Sequence, residues 1–364
     1  MSNGPRVLHI IDHMGLGGAQ RVLEGLISHS KNEEWFFYSL RKCPKISESL
    51  SCGNSNSKYD FLSFFEVKRL IKEKNINILH CHLKKSFLIG YLLKRFFFPN
   101  IVLIFHEHGK IEDNKYIKFL HFGKKHVDLF IAVSDATQKR LIHYVKIPER
   151  QVKTIFNFVD LDRFNPETIN KFDRKFERKR FGVNNTDFVL GFAARIVRSK
   201  GWHELLCAFT KLQKKNIKLL IAGTGPEKKE LLRKIDELHL VNQIKYVGFV
   251  DNITRFYCCI DLFVVPSHGE PFGMTVLETQ ASGIPVLACN VAFLNELIQN
   301  MENGILFKKG DAQDLAEKIE FIINHNKLTL DLITSGLNNV KKYSLDEYIK
   351  KMNRLYSSLL LFKF

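Results

Sequence analysis

Short apolar runs alternate along the chain with longer stretches in which apolar positions recur every three or four residues. Uninterrupted short runs are typical of strands buried in a parallel sheet, and the longer pattern is typical of amphipathic helices. In the first half, the pattern predicts strands at 6–11, 76–81, 101–105, 129–133 and 152–156, with helices at 19–28, 66–74, 84–96, 116–125 and 136–144. This alternation predicts a parallel sheet with helices on both faces.

The same alternation resumes after a polar segment at 162–185, which we interpret as a linker or a surface helix. Strands are predicted at 188–193, 217–222, 244–247, 262–265 and 285–288, with helices at 202–212, 227–238 and 274–281 and near 311–324 and 346–361. The chain is therefore predicted to be an α/β protein with two doubly wound, Rossmann-like domains facing across a cleft. We expect them to span 1–168 and 169–345, with a C-terminal helix at 346–364 that crosses back to the first domain.

Composition narrows the class of protein. Hydrophobic residues make up 45% of the chain, which excludes a mostly disordered chain, and the apolar stretch at 87–93 is too short to span a bilayer. The net charge is +17 and both halves are basic, which suits anionic partners such as nucleic acid, anionic lipid or a phosphorylated substrate, although a lysine-rich proteome would give the same balance. The seven cysteines form no C-x-x-C pair and no disulfide framework, and residues 1–10 lack the apolar core of a signal peptide, so we expect a cytosolic protein.

Glycines and histidines follow the predicted strands of the first half. Gly17 and Gly18 come after the first strand, where they permit a sharp turn into a helix whose N–H groups can bind an anion, although a purely structural turn fits equally well. Two clusters, at 80–82 and 106–108, read His-Cys-His and His-Glu-His. Residues two apart on a strand share a face, so we expect these histidines to form hydrogen bonds or move a proton at a cleft rather than bind a metal; the alternative is that they are satisfied structural histidines.

Two cations follow the first strand of the second half. Arg195 and Lys200 come just after it, and Gly201 then allows a tight entry into the next helix. Fixed cations at the carboxyl end of a strand can neutralise a diphosphate. Asp160 and Asp162 form a D-x-D triplet of the type that can hold a divalent cation, but they lie in the polar segment away from any glycine-rich turn, so we expect no metal there.

The segment 267–288 carries the strongest signal. Glu270 and Glu278 are separated by seven residues. Phe272 and Gly273 form part of a rigid turn before the helix that begins at Met274, and the N–H groups at the start of this helix can bind an anion. A carboxylate such as that of Glu278 is a suitable acceptor for paired sugar hydroxyls.

These motifs resemble, in order and spacing, those of the retaining nucleotide-sugar glycosyltransferases of family 4, which have the GT-B fold. The resemblance covers about residues 7–310. The segments that carry it are GLGGAQRVL, NILHCH, FHEHG, IAVSDAT, NFVDLDRFNP, ARIVRSKG, LLIAGTGPE, EPFGMTVLE, ASGIPVLA and ENGILF.

The resemblance implies a role for individual residues. Arg195 and Lys200 would hold the donor diphosphate, Glu278 would bind the nucleotide ribose, and Glu270 would contact the transferred sugar. The backbone N–H groups at 272–274 would lie near the sugar or phosphate, and Gly17 and Gly18 would complete the phosphate site. The family's first-domain histidine would be His108, with His106 as the competing alignment. The catalytic set implied is thus Glu270, His108, Arg195 and Lys200.

The expected activity is transfer of a hexosyl group, with retention, from a UDP- or GDP-sugar to a glycan or lipid-linked acceptor, without metal or other cofactor. Lys84, Lys85, Lys94 and Arg95 flank an apolar, aromatic helix, so we also expect contact with an anionic membrane at its cytoplasmic face; the alternative is that this apolar face is core. Competing functions are a sugar phosphorylase or synthase of the same fold and a non-catalytic basic scaffold for nucleic acid or membrane. We expect no nucleic-acid partner, because the charged motif residues are intact.

Overall fold

The computed structural model describes residues 4–15, 17–29, 34–43, 49–53, 62–109, 111, 113–213, 216–269 and 272–361. The chain divides into two compact units: unit 1 is Met1–Phe158 with Leu345–Phe364, and unit 2 is Val159–Ser344. The divisions therefore fall after residues 158 and 344, where the sequence placed domain boundaries after 168 and 345.

Unit 1 is built on a seven-stranded parallel sheet with the order β3-β2-β1-β4-β5-β6-β7. The strands are β1 Val7–Ile11, β2 Trp35–Ser39, β3 Leu50–Cys52, β4 Ile78–His82, β5 Val102–Glu107, β6 Leu129–Ala132 and β7 Val152–Thr154. The helices between them are α1 Gly18–His29, α2 Leu62–Glu73, α3 Lys84–Phe96, α4 Asn114–Gly123 and α5 Asp135–His143. Strands β1, β4 and β5 are buried at every residue, which explains their nearly uninterrupted apolar runs.

Unit 2 has a six-stranded parallel sheet with the order β10-β9-β8-β11-β12-β13. Its strands are β8 Phe188–Ala193, β9 Ile217–Ala222, β10 Ile244–Gly248, β11 Leu262–Val265, β12 Val286–Cys289 and β13 Ile305–Phe307. Its helices are α6 Pro166–Asn170, α7 Arg174–Arg180, α8 Trp202–Phe209, α9 Lys228–Glu237, α10 Ile253–Cys259, α11 Met274–Ala281, α12 Ala312–Asn324 and α13 Asn326–Val340. In both sheets the strand order reverses beside the first strand, which creates a switch point between β1 and β4 and another between β8 and β11.

The last helix, α14 Leu345–Leu361, belongs to unit 1. Its residues Tyr348, Met352, Leu355 and Tyr356 are buried in the same apolar cluster as strand residues Val7, Ile78 and Val102 and the buried face of α1. One face of the unit 1 sheet is therefore covered by α1 and α14. The other face packs against side chains of α2, α3 and α4.

The structure contains elements that the sequence pattern did not predict. Strand β2 reads WFFYS and is buried at nearly every residue, so it lacks the polar–apolar alternation that marks a half-exposed strand. Helix α13 contains three asparagines and Gly336, all poor helix formers, and it is held instead by packing on α11. Tertiary contacts therefore decide the conformation where local preference is weak.

One pair of cysteines is bonded, contrary to the expectation from the sequence. Cys43 follows β2 and Cys52 ends β3, and their Cα atoms lie 6.1 Å apart in a disulfide. Because β2 and β3 are parallel neighbours, with Ser39 opposite Cys52, the chain that leaves β2 passes close to the end of β3. The pairing weakens the argument that we based on the cysteines for a reducing compartment.

Within the described ranges, no helix is both long and apolar enough to cross a bilayer. The stretch at 87–93 lies within α3, where Phe87, Gly90 and Leu93 are buried in unit 1. Lys94, which the sequence placed on a membrane-facing surface, is also buried and forms an ion pair with Asp128. The apolar face of α3 is thus mainly core.

Candidate active site

Three loops at the carboxyl edge of the unit 2 sheet are joined by backbone hydrogen bonds. They follow β8, β9 and β11, which are neighbours in the sheet. Ile196 N donates to Thr224 O at 3.0 Å, which joins the first two loops, and His268 N donates to Ser199 O at 3.0 Å, which joins the first and third. Arg195 and Lys200, which are predicted to hold the donor diphosphate, therefore lie on a loop that is connected to both of its neighbours around the switch point between β8 and β11.

Arg195 and Lys200 both lie on the loop between β8 and α8. Arg195 is exposed directly after the strand, and Lys200 is partly buried at the end of a 3₁₀ turn. Gly201 follows with φ of 73°, and a Cβ at this position would lie 1.9 Å from the carbonyl oxygen of Pro266. Glycine is required here on both counts, because it permits the left-handed backbone and the close contact between the loops.

The turn before α11 contributes backbone rather than side chains. Gly273 has φ of 89° and precedes the helix, and a Cβ there would lie 3.1 Å from a methyl group of Leu294. The side chain of Phe272 is buried against the ring of Tyr343, while Met274 begins the helix. The first turn of a helix carries N–H groups without partners in the helix, and these can bind an anion. Glu270, the predicted catalytic carboxylate, lies outside the described residues.

Glu278 is buried in the second turn of α11, with a relative exposure of 2%. The hydroxyl of Tyr257, on α10, donates to Glu278 Oε2 at 3.2 Å. Tyr257 was not identified from the sequence, since a tyrosine in an unpredicted helix gives no signal. Its contact fixes one carboxylate oxygen and so orients the group predicted to bind the ribose.

Gly17 and Gly18 are exposed at the point in unit 1 where the chain enters helix α1. A Cβ at Gly18 would contact nothing within 4 Å, and one at Gly17 would meet only the side chain of Gln20. Packing within unit 1 therefore does not require Gly18, whereas a side chain at Gly17 would have to displace the buried Gln20, whose Oε1 would lie 2.3 Å from the added Cβ. Asp12, which the sequence analysis missed, accepts hydrogen bonds from the backbone N–H groups of Lys85 and Ser86 at the start of α3, while burial raises its pKa.

Five histidines cluster on the face of the unit 1 sheet that α1 and α14 cover. His80 and His82 share this face of β4, and His106 and His108 share it at the end of β5. His9 on β1 lies opposite His80 and joins them, although the sequence analysis did not single it out. His106 is fully buried within the strand, whereas His108 lies just beyond it and is partly exposed.

The histidines are hydrogen-bonded to one another. His9 Nδ1 lies 3.0 Å from His82 Nε2, His82 Nδ1 lies 2.9 Å from His108 Nε2, and His80 Nε2 lies 3.2 Å from His106 Nδ1. Burial lowers the pKa of His9 and of His108 to about 3, and lowers the pKa of His80, His82 and His106 well below the usual value. The five imidazoles are accordingly neutral at pH 7.

The positions of the ring nitrogens raise the question of a metal. Two sets of three histidines, 9/80/82 and 82/106/108, have ring nitrogens within 4.8 Å of one another. A metal bonded to an imidazole lies in the plane of the ring. However, His80 and His82 are stacked at 16° with centroids 4.3 Å apart, and the rings of His106 and His108 lie over each other with a tilt of 30° and centroids 4.0 Å apart. These planes do not converge on one point, so hydrogen bonds between the rings account for the cluster better than an ion does.

Glu107 points to the opposite face of β5 from the histidines. It accepts a hydrogen bond from the hydroxyl of Tyr116 at 2.5 Å and another from the N–H of Gly109 at 2.8 Å. Burial raises the pKa of Glu107 to about 7, against the lowering effect of these hydrogen bonds. The bond to Gly109 fixes the turn that carries His108.

The D-x-D triplet has a local structural role. Asp160 Oδ1 accepts hydrogen bonds from the backbone N–H groups of Asp162 and Arg163, each at 3.1 Å. This carboxylate stabilises the turn that precedes α6.

Comparison with known families identifies two profiles along this chain. Residues 21–163 match the family described as "Glycosyltransferase Family 4", and residues 173–338 match "Glycosyl transferases group 1". The first match lies mainly in unit 1 and ends just inside unit 2, the second lies in unit 2, and together they span most of the chain.

Individual relatives agree with these profiles. The chain is 24% identical over 310 residues to the N-acetyl-alpha-D-glucosaminyl L-malate synthase of Bacillus anthracis, covering 83% of this chain and 80% of that protein. It is 28% identical over 324 residues to the capsular polysaccharide biosynthesis glycosyltransferase CapM of Staphylococcus aureus, covering 83% and 84%. The crystal structure of Anabaena HepE in complex with UDP and glucose matches with a TM-score of 0.85 and 22% identity, covering 97% of this chain and all of that one. These matches show the predicted GT-B fold.

Proposed function

Because the chain belongs to glycosyltransferase family 4, with the GT-B fold, we propose that it transfers a hexosyl group from a UDP- or GDP-sugar to a saccharide acceptor with retention of configuration. The observation that best supports a nucleotide-sugar donor is the set of connected loops in unit 2. These loops present Arg195, Lys200 and the N-terminus of α11 around one switch point, which is where open parallel sheets bind ligands.

The chemistry follows from these charges. The bond between C1 of the sugar and the phosphate oxygen breaks, and its electron pair stays on the leaving diphosphate. The acceptor oxygen bonds to C1 from the same face, and its proton passes to the leaving phosphate. Since negative charge grows on that phosphate, Arg195, Lys200 and the helix N–H groups stabilise the transition state more than the bound donor, and no metal is needed.

The remaining predicted residues complete the site. Glu278, oriented by Tyr257, would accept hydrogen bonds from the ribose hydroxyls, and Glu270 would contact the transferred sugar. His108 rather than His106 would face the sugar, because His106 is fully buried inside β5. Gly17 and Gly18, at the exposed start of α1, would contribute to phosphate binding.

The names of the relatives suggest the class of acceptor. One relative is named an N-acetyl-alpha-D-glucosaminyl L-malate synthase, whereas another is named a capsular polysaccharide biosynthesis glycosyltransferase, and the second name favours a cell-surface glycan. We propose a cell-surface glycan or a lipid-linked saccharide as the acceptor of this protein.

Incubation with a panel of UDP-, GDP- and ADP-sugars and a glycan and lipid extract tests this function. We expect release of one nucleoside diphosphate, unchanged in the presence of EDTA because the cations are side chains. Consumption of inorganic phosphate with formation of a sugar 1-phosphate would instead indicate a phosphorylase. Absence of turnover with every donor would contradict the proposed transferase.

An exposed aromatic patch on unit 1 supports peripheral membrane contact. We define the patch as Leu62, Phe65, Phe96 and Phe97, which are each 45% exposed or more. The ring of Phe64 contacts the rings of both Phe65 and Phe97, which joins the two helices. Lys68 Nζ lies 3.6 Å from the centre of the Phe97 ring, and Arg95 lies over Phe96, so cations accompany the apolar groups. An anionic bilayer at the cytoplasmic face complements both features.

Sedimentation with vesicles of anionic lipid tests the patch. We expect the wild type to bind at low salt, and to bind more weakly at high salt or with zwitterionic vesicles. The double variant Phe65→Ser/Phe96→Ser should lose most of this binding. Phe176→Ser is the matched control, because Phe176 is 62% exposed but lies in unit 2. Equal binding by the double variant and the control would show that the patch does not contact the membrane.

A further inference from the structure

We infer that the five clustered histidines and Tyr356 form one continuous hydrogen-bonded chain that fixes the tautomer of His108 and leaves its Nδ1 as a hydrogen-bond acceptor for a sugar hydroxyl. The tautomer follows from unit 1 alone, whereas the sugar hydroxyl rests on the proposed function. His82, His9, Tyr356, His80 and His106 are then positioning residues, which act on the sugar through His108.

The chain can be followed atom by atom from His108. His108 Nε2 pairs with His82 Nδ1, and His82 Nε2 pairs with His9 Nδ1. His9 Nε2 lies 3.4 Å from the hydroxyl of Tyr356, which in turn lies 2.6 Å from His80 Nδ1. His80 Nε2 pairs with His106 Nδ1. Each intermediate ring thus uses both of its nitrogens, one toward each neighbour.

Such a chain has only two arrangements of protons. A neutral imidazole has one N–H and one bare nitrogen, and a hydroxyl has one proton to donate. If one ring donates to its neighbour, that neighbour must donate to the next, so all six groups point the same way along the chain. The tautomer of His108 is therefore coupled to the orientation of the Tyr356 hydroxyl.

The two distances at Tyr356 select one arrangement. A separation of 2.6 Å lies in the range of O–H donors and below that of N–H donors, which rarely come closer than about 2.7 Å. Tyr356 therefore donates to His80 Nδ1 and accepts the longer bond from His9 Nε2. It follows that His9 donates through Nε2, His82 through Nε2 and His108 through Nε2, and that His108 Nδ1 is bare.

The two ends of the chain distinguish this arrangement from ordinary core packing. His108 Nδ1 and His106 Nε2 are buried and have no hydrogen-bond partner among the described residues. Leaving a buried polar atom unsatisfied costs about 1–3 kcal/mol, so a network that served only stability would close on itself. The His108 end lies at the carboxyl edge of β5, which is separated only by β4 from the switch point between β1 and β4, and ligands bind at such a point in this type of sheet. Because His108 is partly exposed although its Nδ1 is covered, a small local shift brings this bare nitrogen into contact with a hydroxyl, from which it accepts a hydrogen bond without either group changing its charge.

Nitrogen-15 NMR of protein labelled at histidine tests the tautomer directly. We expect His108, assigned by the loss of its signals in His108→Gln, to carry its proton on Nε2 at pH 7.5 in the wild type. The variant Tyr356→Phe removes the central link while keeping the ring, and we expect His108 to become a mixture of both tautomers. A proton on Nδ1 of wild-type His108, or a tautomer that does not respond to Tyr356→Phe, would overturn the inference.

Tyr348→Phe is the matched control. Tyr348 is a buried tyrosine on the same helix, and its hydroxyl has no partner in the described part of the chain. We expect Tyr356→Phe, but not Tyr348→Phe, to lower kcat about tenfold with little change in the donor KM, which corresponds to the loss of roughly one hydrogen bond in the transition state. If His108 has a fixed tautomer but no donor sugar is transferred, only the proposed function is refuted. If sugar is transferred but His108 is a mixture of tautomers, only the hydrogen-bonded chain of side chains is refuted.

Discussion

The free energy of unfolding of unit 1 should fall steeply as the pH is lowered from 7 to 5. The five clustered histidines are the cause. Burial lowers the pKa of His9 and His108 to about 3 and the pKa of the other three in the same direction. In the unfolded chain each histidine titrates near its usual value of about 6.5. Below that pH the unfolded state binds protons that the folded state does not bind.

The sign and size of the pH dependence follow from this difference in proton binding between the folded and unfolded states. Each proton bound only by the unfolded state changes the free energy of unfolding by about 1.4 kcal/mol per pH unit. Glu107 acts in the opposite direction, because burial raises its pKa to about 7 and the folded state gains its proton first; the raised pKa of Asp12 adds to this at lower pH. Near pH 5.5 the five histidines lower the free energy of unfolding, and about one carboxyl offsets one of them. The net loss in the free energy of unfolding is then ~5 kcal/mol per pH unit. Domains are commonly stable by only about 5–15 kcal/mol, so at this slope unit 1 should unfold within about one to three pH units.

Urea unfolding at several pH values measures this slope. The chain has two tryptophans, and in a Trp202→Phe background the fluorescence reports on Trp35, which lies beside His9 and Tyr356 in unit 1. His9→Gln should reduce the slope by about one proton, and His143→Gln, a change at an exposed histidine of α5, should not. A free energy that is flat between pH 7 and 5.5 would show that the cluster is not neutral in the folded state.

Removing either predicted phosphate-binding cation should nearly abolish transfer. We expect Arg195→Ala and Lys200→Ala each to lower kcat/KM about 100- to 1000-fold, which is the usual cost of losing one donor to charge that develops in a transition state. The effect should fall on kcat as well as on KM, because the diphosphate carries more charge when the sugar leaves. Since both cations act on the same diphosphate, the double variant should lose less than the product of the two single effects. Initial rates of nucleoside diphosphate release measure these losses.

Arg198→Ala is the control for charge and position. Arg198 is exposed in the same 3₁₀ turn as Lys200 but has no predicted contact with the donor. We expect it to keep wild-type rates within a few-fold. Equal losses in Arg198→Ala and Lys200→Ala would mean that the loop contributes only its overall positive charge.

The sequence predicted the fold well where strands are short apolar runs between amphipathic helices. Strands β8, β9 and β11 and helices α3 and α11 lie where the pattern placed them, because a continuous apolar run or a regular spacing leaves one conformation. Strand β2 and helix α13 were missed, since neither has a distinctive local pattern and both depend on neighbours distant in sequence. The disulfide was missed for the same reason, because it depends on the register of β2 and β3.

The residues of the candidate site also divide into those with a local sequence signal and those that depend on distant contacts. Glycine spacing, paired charges and the turn before α11 are local signals, so the sequence could indicate Arg195, Lys200 and Gly273 as candidates. The contributions of His9, Tyr257 and Tyr356 are visible only in three dimensions. Tyr356 is 276 residues from its partner His80, and only the packing of α14 on the unit 1 sheet brings the two together.

The central claim is that unit 2 holds a nucleoside diphosphate through Arg195, Lys200 and the start of α11, and nucleotide-dependent thermal stabilisation tests it most directly. A ligand that binds the folded state raises Tm by mass action and needs no acceptor. We predict that UDP or GDP raises the Tm of the wild type and of Arg198→Ala, and that the shift disappears in Lys200→Ala. The claim would be contradicted if no nucleotide shifted the wild type, or if Lys200→Ala kept the full shift.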